Sequence, residues 1–170
     1  MPEPKLERVE GYRAGVIAGM IRLHMRTYGP EWGFGAGFEA LLAKEMGLFV
    51  DRYDARRDFF VTLWRDGDPC ASLVIDGAKP MRAHLRWFVV DQALRGSGVG
   101  RALLEEALAF VDARGVPTTY LTTFKGLDAA AKLYTDTGFS VIRSEAEDRW
   151  KGGVSEQMWE RPRPKRAQGL

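Results

Sequence analysis

One stretch limits the folds open to this chain more than any other. It begins Leu85-Arg86-Trp87-Phe88-Val89-Val90, passes through Asp91-Gln92-Ala93-Leu94-Arg95-Gly96-Ser97-Gly98-Val99-Gly100-Arg101, and continues with Ala102-Leu103-Leu104. The first six residues are aromatic and β-branched enough to predict a strand. Glycines at every second position predict a tight turn. Val99, Leu103, Ala107 and Phe110, flanked by Leu104, Leu108 and Val111, form an apolar stripe at helical spacing. A strand, a glycine turn and a helix in that order place unpaired N–H groups and a partial positive charge where a phosphate can sit. The missing Cβ atoms let a ligand close on the main chain. Arg95 and Arg101 flank the turn and can add charge-assisted bonds. The stretch is a candidate pyrophosphate cradle.

Two familiar cradles fail on spacing. The dinucleotide fingerprint needs a glycine three places after its second, but Arg101 follows Gly98 there and Leu103 follows Gly100. A P-loop needs Gly-Lys-Ser/Thr, which the chain lacks. What remains is Arg95-x-x-Gly98-x-Gly100, with Val90 ahead of it. This resembles the Arg/Gln-x-x-Gly-x-Gly/Ala motif of the GNAT superfamily of acetyl-CoA-dependent N-acyltransferases. A second segment, Ala130-x-x-x-Tyr134-x-x-x-Gly138-Phe139, is similar to the other GNAT motif. More narrowly, Leu85-Arg86-Trp87-Phe88 and Ser155-Glu156-Gln157-Met158-Trp159-Glu160-Arg161 resemble acetyltransferase domains fused to MarR-type regulators. With no room for a regulator, the chain reads as the free-standing catalytic domain.

A chain of 170 residues suffices for one domain with a sizeable core. Net charge is +2, and Arg161, Arg163, Lys165 and Arg166 all lie in the last ten residues. Removing those four charges leaves −2, so the basicity belongs to the end of the chain. That argues against a nucleic-acid surface. Residues 1–160 are expected to form one domain and 161–170 a basic disordered tail. The one cysteine, Cys70, excludes an intramolecular disulfide and reads as a small core residue. No signal peptide or membrane-length apolar run is present, so a cytoplasmic protein without membrane association is expected.

In chain order, Leu6–Glu10 predicts a short strand. Ile17, Met20, Ile21, His24 and Tyr28 predict a helix ended by Gly29-Pro30. A glycine-aromatic loop, 31–37, precedes a second helix carrying Phe38, Leu41, Leu42, Glu45, Met46 and Phe49. Strands are predicted at 59–65, 70–75 and 81–90, joined by tight turns as an antiparallel meander. The glycine helix then crosses over to a strand at 118–123, which makes a right-handed parallel pair with 81–90. A short helix stops at Thr137-Gly138. A strand follows at 139–144, with Arg149-Trp150 as its continuation. Lys151-Gly152-Gly153 reads as a turn, and 154–159 as the last strand. The expected fold is α/β: one mixed, mostly antiparallel sheet of about seven strands, helices on both faces and a splayed parallel central pair.

The resemblance implies a site within this frame. Main-chain groups of Phe88, Val89 and Val90 would pair with the pantetheine arm of acetyl-CoA. The N–H of Val89 or Val90 would polarise the thioester carbonyl. The N–H groups of Gly96, Ser97, Gly98, Val99, Gly100 and Arg101 would hold the pyrophosphate, with Arg95 beside them. Tyr134 would hydrogen-bond or protonate the leaving sulfur. The acceptor would be a primary amine of a small molecule or peptide, attacking directly in a ternary complex, and the protein a monomer or homodimer.

No residue is assigned as general base. Thr122 stands where some family members carry a glutamate, and Leu127 where an asparagine is frequent. His84, Glu31 and Asp91 are the ionisable candidates, ordered water is an alternative, and His24 reads as structural. Arg82 and Arg86 could favour an acidic acceptor, and Trp32 and Phe34 either touch the acceptor or plug the core. Two histidines and one cysteine offer no metal-ligand spacing. No Gly-x-Ser-x-Gly elbow accompanies a triad. Two function classes stand: an acetyltransferase, and a non-catalytic acyl-CoA-binding or regulatory module on the same fold.

Overall fold

The computed structural model describes residues 5–145 and 155–165. Strand β1 (Glu7–Glu10) leads into helices α1 (Val16–Trp32) and α2 (Ala36–Asp51). Strands β2 (Phe59–Arg65), β3 (Asp68–Asp76) and β4 (Arg82–Val90) follow as the expected meander. Asp66 and Gly67, both at positive φ, make the first hairpin turn. After α3 (Val99–Ala113) come β5 (Thr118–Phe124), α4 (Asp128–Asp136), β6 (Ser140–Glu145) and β7 (Glu156–Pro162). The seven strands form one sheet in the order β1-β2-β3-β4-β5-β7-β6. Its β4–β5 pair is parallel and its other pairs antiparallel.

Strand alternation divides the core into two layers. On one face Phe60, Trp64, Val74 and Phe124 meet Met20 of α1 and Phe38, Leu42, Met46 and Phe49 of α2. On the other, Leu73, Ile75, Leu85, Leu121 and Trp159 meet Leu104, Leu108 and Val111 of α3 and Tyr134 of α4. Cys70 is a buried core residue of β3.

Several element ends differ by a few residues from the sequence reading, and two of these differences change what a residue does. Gly29-Pro30 does not end α1, which runs on to Trp32 with Pro30 inside it. Proline's ring suits a helical φ and costs a donor, so the chain can add one more turn. The stop is Gly33 at φ 68°, whose N–H donates to the Gly29 carbonyl at 2.9 Å. The tail boundary at 160 falls inside β7, and Arg161 is buried. Its guanidinium donates to both Asp112 carboxylate oxygens at 2.9 Å, and its Nε to the Thr137 carbonyl at 2.9 Å. Three charge-assisted or carbonyl hydrogen bonds and a paired carboxylate offset the cost of burying this guanidinium. The expectations for Arg149-Trp150, Lys151-Gly153, Val154 and residues 166–170 lie outside the described residues.

Candidate active site

The parallel pair is joined over three positions only, Arg82 with Thr118, Ala83 with Thr119 and His84 with Tyr120. The last position is locked by side chains. His84 stacks on Tyr120 at 4.2 Å and 14°, and the Arg82 guanidinium lies 3.8 Å over the Tyr120 ring and 3.4 Å from Glu160. Beyond it β4 runs on to Val90 and β5 to Phe124 without pairing to each other.

A bulge in β4 accompanies the split. Ser72 and Val74 of β3 oppose Val89 and Arg86, so β4 carries one extra residue. Trp87 takes the strain at φ 48°. It is held there by its ring on Phe49 (5.6 Å), by the Arg86 guanidinium over it (4.3 Å) and by the Ser72 hydroxyl donating to its carbonyl at 2.6 Å. The register then decides where the main chain points. Asp91 N–H donates to Cys70 O at 2.8 Å, and Val89 opposes Ser72. Antiparallel alternation therefore commits the Val89 N–H to β3 and turns those of Phe88 and Val90 to the open side. Of the two N–H groups named from sequence for the thioester carbonyl, Val90 keeps that orientation and Val89 does not.

The glycine turn lies at the end of this open edge. Asp91 caps a short 3₁₀ turn, Gln92–Leu94, by accepting from Ala93 N–H at 3.0 Å. Gly96 and Gly98 sit at φ 78° and 86°, a region costly for any residue with a Cβ. Gly98 caps α3, and its carbonyl accepts the first helical bond, from Ala102 at 3.0 Å. Among the described residues no acceptor reaches the N–H groups of Gly96, Gly98, Gly100 or Arg101. A Cβ on Gly100 would lie 3.4 Å from Val90 Cγ2 and 3.6 Å from the Phe88 ring, so α3 starts in contact with β4. Arg101 departs from the expectation in one respect: its guanidinium pairs with Asp136 at 2.9 Å and ties α3 to α4.

Two cavities meet in the split. A cleft of about 550 Å³ runs from Arg95, Gly96, Gly98 and Gly100 along Phe88, Val89 and Val90 to α4. A smaller pocket of about 110 Å³ opens beneath α1 and α2, lined by Phe38, Leu42, Glu45, Arg86, Thr122 and Tyr134 among others. Phe88, Val89, Val90, Arg95, Gly96, Gly98, Gly100 and Arg101 thus gather around the cleft, with Tyr134 in the adjoining pocket. Ser97 and Val99 do not line it and spend their N–H groups inside the turn, on the Leu94 carbonyl (3.3 Å) and the Ser97 hydroxyl (3.4 Å).

Tyr134 is 5% exposed, its ring packed among Phe88, Phe139 and Trp159. Burial drives its phenol far above the ordinary value, so it stays protonated. Tyr28 of α1 lines both cavities. Burial raises its phenol to about 12, against an opposing pull from Arg95. Neither hydroxyl has a hydrogen-bond partner among the described residues.

The base candidates fare unequally. Thr122 and Leu127 both line the smaller pocket. Asp91 is paired with Arg26 at 2.9 Å and held below the ordinary carboxylate range against its desolvation, chiefly by the Ala93 N–H and Arg26. The Glu31 side chain lies outside the described residues. His84 lines the pocket while stacked on Tyr120. Arg86 pairs with Glu45, lies 3.8 Å from Asp76, and is not a bare cation for an acidic acceptor. Phe34 is core, packed on Phe38 and Phe124, whereas Trp32 lines the cleft. Glu45 is a pocket residue that sequence reasoning assigned only to a helix stripe; a carboxylate within an apolar stripe was the available signal.

His24 is buried, its Nδ1 2.7 Å from the Met20 carbonyl, and burial lowers its pKa to about 4. The unfolded chain takes up that proton near pH 6.5 and the folded chain near 4. Stability is therefore full above pH 6.5 and lost as pH falls between these values, by at most about 3 kcal/mol. Equilibrium unfolding at pH 7 and pH 4.5 is expected to show a smaller acid loss for His24→Gln than for the wild type.

The acetyltransferase (GNAT) family profile matches residues 17–139. The chain belongs to the GNAT family of acetyltransferases. Solved structures with this fold include an acetyltransferase from Streptococcus agalactiae, 17% identical, with a TM-score of 0.73 over 92% of this chain and 98% of that one. The ribosomal-protein-S18-alanine N-acetyltransferase of Escherichia coli is 20% identical, with a TM-score of 0.66 over 98% and 99%. The protein yncA of Salmonella typhimurium, solved with its cofactor acetyl-CoA, is 11% identical, with a TM-score of 0.68 over 98% of each chain. No curated protein matches the sequence. Among the described residues, no helix of this GNAT chain is long and apolar enough to cross a membrane, and no cluster of His, Cys, Asp or Glu could hold a metal ion.

Proposed function

We propose that this GNAT protein transfers the acetyl group of acetyl-CoA to a primary amine of a small molecule or peptide, by direct attack in a ternary complex in the cytoplasm. The observation that carries the reading is the continuous path from the unpaired N–H groups of the glycine turn, along an open strand edge, to a second pocket with a phenol in it. The residues fit the donor. The free main-chain N–H groups of Gly96, Gly98, Gly100 and Arg101, with Arg95 beside them, suit a pyrophosphate. The open edge of Phe88, Val89 and Val90 suits an extended amide arm, paired as an added strand. The N–H of Phe88 or Val90 supplies a donor for the carbonyl oxygen as it gains charge. The acceptor amine occupies the smaller pocket, and Tyr134 donates a hydrogen bond to the departing sulfur. The narrower likeness to MarR-fused acetyltransferase domains rests on residues 85–88 and 155–161 alone.

Calorimetric titration with acetyl-CoA, followed by an acetylation assay over a broad amine panel, tests the proposal. Binding and turnover support it; binding without any acetylated amine favours the non-catalytic acyl-CoA module. Gly98→Ala is expected to weaken acetyl-CoA binding about tenfold or more, because the new Cβ strains the positive φ that aims the cradle. Unchanged affinity in that variant would place the phosphates elsewhere.

A further inference from the structure

The two cavities share five residues: Tyr28, Phe88, Val89, Leu127 and Ala130. Any reaction between a group in the cleft and a group in the pocket takes place against these walls. Four of the five have hydrocarbon side chains. Tyr28 alone carries an ionisable side-chain proton, and its hydroxyl has no hydrogen-bond partner among the described residues. Its ring is fixed edge-on to Phe124 (5.4 Å) and His24 (6.2 Å). The charged and titratable groups that act on it are few: Arg95 from the glycine turn, Tyr134 from α4 and neutral His24 on its own helix.

We propose that Tyr28 is the proton relay between acceptor nitrogen and donor sulfur, an inference that rests on the acetyl-transfer reading above. The neutral amine forms the N–C bond, the C–S bond breaks, and the electron pair stays on sulfur. Tyr28 gives its phenolic proton to that sulfur and takes up the proton that nitrogen releases. The products are the acetamide and the free thiol of coenzyme A, and the tyrosine ends as it began. Tyr134, more deeply shielded and lining only the smaller pocket, keeps its proton and serves as a fixed donor. Arg95 acts on Tyr28 in the direction that favours transient ionisation. A single relay facing both partners removes the need for a carboxylate at position 122.

The test uses the full chain with coenzyme A bound, following the ultraviolet absorbance of its thiolate against pH. In Tyr28→Phe the bound thiol is expected to titrate about one unit higher than in the wild type, the shift expected from one lost charge-assisted hydrogen bond. On any amine the wild type acetylates, kcat is expected to fall at least tenfold with acetyl-CoA affinity unchanged. Identical thiol titrations in the two proteins overturn the relay. If coenzyme A does not bind the wild type at all, the acetyl-transfer reading itself falls and the relay with it. Should Tyr28→Phe fail to fold, 3-fluorotyrosine at position 28 keeps the packing and makes the phenol a stronger donor. The bound thiol is then expected to titrate lower than in the wild type, and an unmoved titration overturns the relay.

Discussion

In Tyr134→Phe, kcat is expected to fall about a hundredfold while acetyl-CoA affinity stays within about twofold. The ring is wedged among Phe88, Phe139 and Trp159, so phenylalanine keeps the packing and removes only the hydroxyl. Tyr134 lines the smaller pocket and not the cleft proposed for the phosphates, which is why donor affinity should hold. Burial raises its pKa, so in the proposed reaction it would act by donating a hydrogen bond to an anion as that anion forms. A bond made only in the transition state lowers kcat when lost, without raising the donor's Kd. Single-turnover acetylation beside calorimetry separates the two quantities. A variant with normal turnover would assign Tyr134 to the core alone.

Arg161→Met is expected to cost about 3 kcal/mol, seen as a melting temperature lower by roughly 6–12 °C for a chain of this size. Arg161 joins three elements: from β7 it reaches Asp112 near the end of α3 and the Thr137 carbonyl at the end of α4. Methionine approximates the volume and leaves a carboxylate and a helix-terminal carbonyl without their donor. Asp112 is 30% exposed, so water recovers part of its loss and the figure lies at the low end for a broken buried pair. Adding Asp112→Leu is expected to restore much of the stability, because the orphaned charge goes with it. Additive losses in the double variant would show that the two side chains are not coupled. Since Tyr134 lies one turn before Thr137, the same variant should also lower kcat.

Much of this was legible in the chain because the signals were local. Asp66-Gly67 marks its hairpin by turn chemistry, and the β3 and β4 strands announce themselves by β-branched and aromatic runs. The apolar stripe of α3 fixes which face of that helix is buried. Gly98 could be read as a turn residue and Gly138 as a helix stop because positive φ selects glycine. Where the reading missed, the deciding interaction was remote in sequence. Arg161 looked like tail because its partners lie 24 and 49 residues away. Arg101 looked like an anion ligand until Asp136 came against it from α4. Tyr28 looked like one more apolar position on α1, since only the meeting of β4, α1 and α4 makes it a wall of both cavities.

Short-range stereochemistry, then, was enough to settle the order of elements, the parallel crossover and a glycine turn able to take phosphates. Periodicity and backbone preference act within a few residues, and those are written in the chain itself. Folding alone decided that β4 parts from β5 after His84, that Trp87 absorbs the bulge, and which main-chain N–H groups face the gap. Those outcomes depend on register between strands and on side chains brought together from distant segments, and no window of sequence contains both partners.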